Sequence, residues 1–145
     1  DHIWDIIFLP SKEMVFDERN GTIHIMLNDG KVRDLHKIQD VSAASEGGLL
    51  GMEVDPKFTE NRYIYACFNS IKDGESKKDV RLVRFKVSND LTKLEDRTDI
   101  VTGMPSTSGR HSGCRPKFGP DGFDDRHAGR RRRAGRGSAR SAGIQ

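Results

Sequence analysis

The apolar runs of this 145-residue chain, Ile6-Ile7-Phe8-Leu9 among them, are short, and none exceeds six residues. A bilayer-spanning helix needs about 20 such residues, so no membrane span is expected. What the short runs do fit is a succession of strands stopped by turn residues. Asp5 to Leu9 is halted by Pro10-Ser11-Lys12-Glu13, and Met14-Val15-Phe16 follows. Asn20-Gly21 then signals a two-residue type I′ hairpin, since both residues tolerate positive φ. Thr22 to Leu27 alternates, with Ile23, Ile25 and Leu27 on one face, and Asn28-Asp29-Gly30 turns the chain into a more polar run from Lys31 to Ile38. Four strands in succession joined by tight turns make an antiparallel meander whose outermost strand is the most polar.

A longer cycle repeats the pattern. Gly48 to Val54, Tyr63 to Phe68, Val80 to Val87 and Leu94 to Val101 read as strands, with the polar stretch from Ile71 to Asp79 as an exposed hairpin loop. Leu82-Val83 breaks strict alternation in the third of these. A third cycle opens at Arg115-Pro116-Lys117-Phe118 and halts at Gly119-Pro120-Asp121-Gly122. An apolar residue two positions before a proline recurs at Pro10, Pro56 and Pro120, an irregular repeat with the length of propeller blades. Two blades cannot close a ring, and each leaves an apolar face uncovered. The expectation is an all-β fragment of something about three times as long: blade 1 over about 3–40, blade 2 over about 47–104, and the start of blade 3 over about 111–122.

Charge separates these 122 residues from the rest. From Phe123 to Gln145 there are seven Arg, no Lys and two Asp, so the basic balance of the chain lies there, and residues 1–122 sum to −2. A mildly acidic body gives no electrostatic reason to expect a nucleic-acid partner. Cys67 and Cys114 show no C-x-x-C spacing, and they read as two small buried residues. The chain begins at Asp1 with no leader visible, so either a leader has been removed or the true start is missing.

Three stretches carry a resemblance. They are Trp4 to Pro10 with Glu18-Arg19 and Gly21; Glu46-Gly47-Gly48-Leu49-Leu50-Gly51 with Asp55-Pro56-Lys57-Phe58 and Asn61-Arg62; and His111-Ser112-Gly113-Cys114-Arg115 with Phe118 to Gly122. Over residues 3–122 the chain resembles the soluble PQQ-dependent sugar dehydrogenases, the glucose/sorbosone dehydrogenase family, which are six-bladed β-propellers built of antiparallel meander blades. The resemblance implies oxidation of a sugar CH–OH group by hydride transfer to PQQ, with His111 as general base and an external electron acceptor. An imidazole suits that task because its pKa lies near neutrality. Read without the resemblance, His111 is an ordinary loop histidine.

Arg115, four residues on, is expected to hold a carboxylate or to position His111, its bland alternative being a salt-bridged surface Arg. Glu46 falls where the family places a polar residue near the sugar, against the alternative of a solvated loop carboxylate. The neighbouring glycines suit close backbone approach or plain turn geometry. Two positions depart from the family pattern: Arg110 stands where glucose-oxidising members carry an acid, and Pro116 stands where an apolar strand residue is usual. PQQ and calcium are implied as cofactors, but the family holds them with residues of later blades, so the 145 residues alone are expected to bind no PQQ and to be inactive. A periplasmic or secreted location follows from the resemblance too. The reading from another class is a non-catalytic propeller binding domain, because a fold does not fix a function.

Beyond Gly122 the resemblance stops. Fifteen of the last 23 residues are Arg, Gly or Ala, a composition typical of GC-rich DNA read out of frame. A one-base shift under Phe123 to His127 permits Leu-Met-Ile-Gly-Thr, a plausible strand. The expectation is therefore a frameshifted, disordered tail over 123–145, ahead of a genuine basic arm for an anionic partner.

Overall fold

The computed structural model describes residues 2–71, 78–106, 112–119 and 127–128. The first sheet is a meander of β1 (Ile3–Phe8), β2 (Met14–Glu18), β3 (Thr22–Met26) and β4 (Val32–Lys37), each antiparallel to the next. Alternation explains it: Ile7 pairs with Val15 and Val15 with Ile25, and all three side chains are buried on one face. The turn between β2 and β3 differs from the type I′ expectation. Only Gly21 takes positive φ, at +97°, and its N–H bonds the carbonyl of Glu18 at 2.8 Å. Asn20 instead uses its side chain: Oδ1 accepts from the N–H of Thr22 at 2.8 Å and from its hydroxyl at 2.7 Å. With Glu18 and Arg19 ordered ahead of it, the loop is three residues long and closes on a glycine bulge.

The second sheet contains β5 (Leu49–Val54), β6 (Tyr63–Ser70), β7 (Asp79–Val87) and β8 (Leu94–Pro105) in the same order and sense. A four-residue helix, α1 (Phe58–Asn61), fills the turn after Asp55-Pro56 and was not foreseen from the strand pattern. Arg62 ends it at φ +60°, and its N–H bonds the carbonyl of Phe58. β7 resolves the broken alternation at Leu82-Val83, because both of its faces are covered. Val83 and Phe85 join the core shared with the first sheet, while Val80 and Leu82 pack on the far side with Cys67. β8 runs four residues past the expected end at Val101, with register shifts along its pairing to β7. The stretch expected to be an exposed hairpin loop falls mostly in residues 72–77, outside the described residues.

The two meanders share one core. Ile7, Val15, Ile23 and Ile25 meet Leu49, Met52, Ile64, Phe68 and Phe85 there. Removing side chains of this size from water contributes about 1.5–3 kcal/mol each, which is why the sheets stack. Past β8 the chain returns as β9 (Cys114–Arg115), antiparallel to β10 (His127–Ala128). Cys67 of β6 and Cys114 of β9 form a disulfide, with Cα atoms 5.9 Å apart. This corrects the reading of two separate buried thiols: the pairing needs β9 folded back over β6, and a sequence separation of 47 residues does not reveal that. Apart from His127 and Ala128, the tail from Phe123 onward lies outside the described residues, and so does its expected disorder.

Candidate functional site

β1 and β5 lie side by side, and the segment 112–119 is fastened along them. Successive residues of the segment each find a different tether. Cys114 is bonded to Cys67. Arg115 sends Nη2 to Oδ1 of Asp5 at 3.0 Å. Lys117 pairs with Glu53, and Phe118 sets its ring edgewise on Tyr65, centroids 5.2 Å apart. Pro116, the unexpected residue, is buried, with Cδ 3.4 Å from where a Cβ on Gly51 would stand. The same imagined Cβ would lie 2.8 Å from the Cys114 carbonyl, so only glycine at 51 lets β9 approach this closely.

Asp5 is the hub. Its side chain is 4% exposed, its Oδ2 accepts the Met52 N–H at 2.8 Å, and its own N–H bonds Oδ1 of Asp17 at 2.8 Å. Asp5 thus joins β1 to β5 and β9 through its carboxylate, and to β2 through its backbone N–H. Burial, reinforced by the negative charge of Asp5, pushes the Asp17 carboxyl up to about 7. Tyr65 donates its hydroxyl to Asp55 at 2.9 Å, and burial with that bond pushes it up to about 12.

On the other side of β5, Arg19 organises the loop that carries Glu46. Nε donates to the Gly47 carbonyl at 2.9 Å and Nη2 to those of Ala43, at 2.8 Å, and Ser45. Gly48 has φ +144°, and a Cβ there would sit 2.4 Å from the Arg19 carbonyl. The buried amide of Asn69 accepts from Gly48 N–H and donates to the Ser106 hydroxyl at 2.8 Å, joining this loop to the residues that lead toward 107–111.

Of the site residues expected from the sequence, Glu46 is exposed on the loop held by Arg19. Arg115 is exposed and committed to Asp5. Both border β5, at its start and at Gly51. His111 lies outside the described residues, next to the buried Ser112. Asp5, Asp17 and Arg19 went unassigned in the sequence. The available signal was an acid at a core-facing position of each of two apolar strands, which alternation alone marks as unusual.

PQQ carries three carboxylates and needs uncommitted cations around it. The cations along the segment against β5, Arg115 and Lys117, are each paired with a carboxylate of this chain. No group of three or more His, Cys, Asp or Glu is gathered to hold a metal among the described residues. The segment against β5 therefore does not fit a quinone cradle.

The family model for glucose/sorbosone dehydrogenase matches residues 1–125. The chain belongs to that family. It is 31% identical over 126 residues to the aldose sugar dehydrogenase YliI of Escherichia coli, covering 85% of this chain and 34% of that protein. Quinoprotein glucose dehydrogenase B of Acinetobacter calcoaceticus is 27% identical over 124 residues, 80% of this chain and 26% of that one. Among solved structures, the PQQ-bound aldose sugar dehydrogenase of Streptomyces coelicolor superposes with a TM-score of 0.72 at 27% identity, covering 84% of this chain and 36% of its own. The chain thus spans about a third of the length of these relatives. The two meanders are blades of the propeller fold that the resemblance implied. No described helix is long and apolar enough to cross a membrane.

Proposed function

We propose that residues 3–122 form the first two blades and the opening of the third in a periplasmic or secreted sugar dehydrogenase, and that His111 is its general base. His111 would take the proton from the hydroxyl of the sugar carbon being oxidised, while the hydrogen on that carbon would leave as hydride to a quinone that the full propeller would supply. Arg115, anchored on Asp5, positions the segment that follows His111, and Glu46 offers a carboxylate to a sugar hydroxyl. The observation that carries this reading is the run of tethers from Cys114 to Phe118, which fixes the segment immediately after His111 against β5. The quinone, the calcium and the contact with an external electron acceptor belong, in this reading, to parts of a full propeller other than the described residues.

A chimera tests it. Residues 1–119 of this chain replace the matching third of the Escherichia coli relative, and the product is loaded with PQQ and calcium and assayed for aldose-dependent dye reduction. The expected result is sugar oxidation that falls by about 10²–10⁴-fold in His111→Asn, the usual contribution of a positioned base. A chimera that takes up PQQ yet oxidises aldoses equally well with asparagine at 111 contradicts the assignment.

A further inference from the structure

Two acids occupy core-facing positions of the first sheet. Asp17 has no exposed surface; Oδ1 accepts the Asp5 N–H, the Trp4 amide gives the carboxylate weaker support, and Oδ2 meets no donor at hydrogen-bonding geometry. A buried ionised oxygen without a partner is costly, and a proton on the carboxyl removes the charge. Asp5 beside it has both oxygens occupied, by Met52 N–H and by Arg115. Arg115 therefore serves Asp5, and no cation is placed against Asp17 among the described residues.

Among the described residues, the surrounding elements place no second cation against the pair. From β1 the charged group facing Asp17 is Asp5, and β9 contributes Arg115 behind it. β3 sets Ile23 opposite Asp17, and β5 reaches the pair through the Met52 amide. One strand further, β4 places His36 opposite Ile23, where burial and then Arg97 hold the imidazole below its ordinary value.

We propose that Asp17 and Asp5 form a proton-operated latch between the first sheet and β9. With a proton on Asp17 the pair carries one negative charge, which Arg115 neutralises. Without it, a second carboxylate charge stands in the buried junction beside Asp5, whose arginine is already taken, and β1 loosens from β5 and β9. The rise of Asp17 to about 7 sets where this happens. Its folded value lies above its free value of 3.8, so folding retains a proton that the unfolded chain has released. The latch's stabilisation is fully present below about pH 4 and is lost as pH rises to about 7. This device rests on the described residues alone and stands whatever the role of His111.

Trp4, the single tryptophan, precedes Asp5 on β1 and reports on the junction. Its fluorescence in the folded 145-residue chain is expected to titrate around pH 7, with a lower urea midpoint at about pH 8 than at about pH 5. Asp17→Asn should abolish the titration and raise the midpoint at the higher pH, while His36→Gln leaves the titration in place. Fluorescence that does not titrate in the wild-type chain, a titration that survives Asp17→Asn, or one that disappears in His36→Gln overturns the latch. Should Asp17→Asn fail to fold, Asp5→Asn decides: removing the neighbouring charge shifts the titration to lower pH, and an unmoved midpoint rejects the proposal.

Discussion

Glycine 48 shows how much of the candidate site is set by single residues. Its φ of +144° lies in a region that side chains avoid, and any Cβ there collides with the Arg19 carbonyl. Gly48→Ala is expected to destabilise the fold by about 3 kcal/mol, read as a lowered urea midpoint, because strain and overlap add at one position. An unchanged midpoint would mean that the loop carrying Glu46 is not held against Arg19 as described. The sequence marked these glycines as either close-approach or turn residues, and the structure makes Gly48 and Gly51 close-approach residues. It could not mark Arg19 as the clamp of the 43–47 loop, since that role depends on carbonyls 24 to 28 residues away. Asp5 and Asp17 were hidden for the same reason: the periodicity that predicts a strand says which face a residue takes, not which distant partner meets it there.

At the scale of elements, local pattern carried most of the fold. All eight strands of the two sheets lie where alternation and turn residues placed them, with ends displaced by a few residues. The departures have physical causes. Asn20 prefers to bond its own backbone neighbours, so the hairpin took a three-residue loop, and β7 is apolar on both faces because both are covered. β9 is another matter, since two residues carry no periodicity. It is held by contacts distant in sequence, of which the disulfide to Cys67 is the covalent one. Closing a loop of 47 residues removes unfolded-state entropy worth about 4 kcal/mol. The double variant Cys67→Ser with Cys114→Ser should lose stability of that order in chemical denaturation. A loss below about 1 kcal/mol would show that the remaining tethers of Arg115, Lys117 and Phe118 hold the segment without it.

At the scale of the whole molecule, one face of the first sheet packs on the second sheet, and no described element covers the other. Phe8, Met14, Met26 and Val32 form a row across all four strands of that open face, and Ile6, Phe16, His24 and Asp34 form the next. Phe8 is 61% and Val32 54% exposed. Such a face is what a blade presents to its neighbour, in keeping with a chain that spans about a third of its relatives' length. In the function proposed above, these residues supply blade scaffold and the segment that bears His111, and the quinone is held elsewhere in a full propeller. A spectrophotometric titration of the 145-residue chain with PQQ in the presence of calcium tests this directly. The expected result is no saturable uptake and no aldose-dependent dye reduction. Uptake of one equivalent, followed by sugar oxidation, would overturn the proposal.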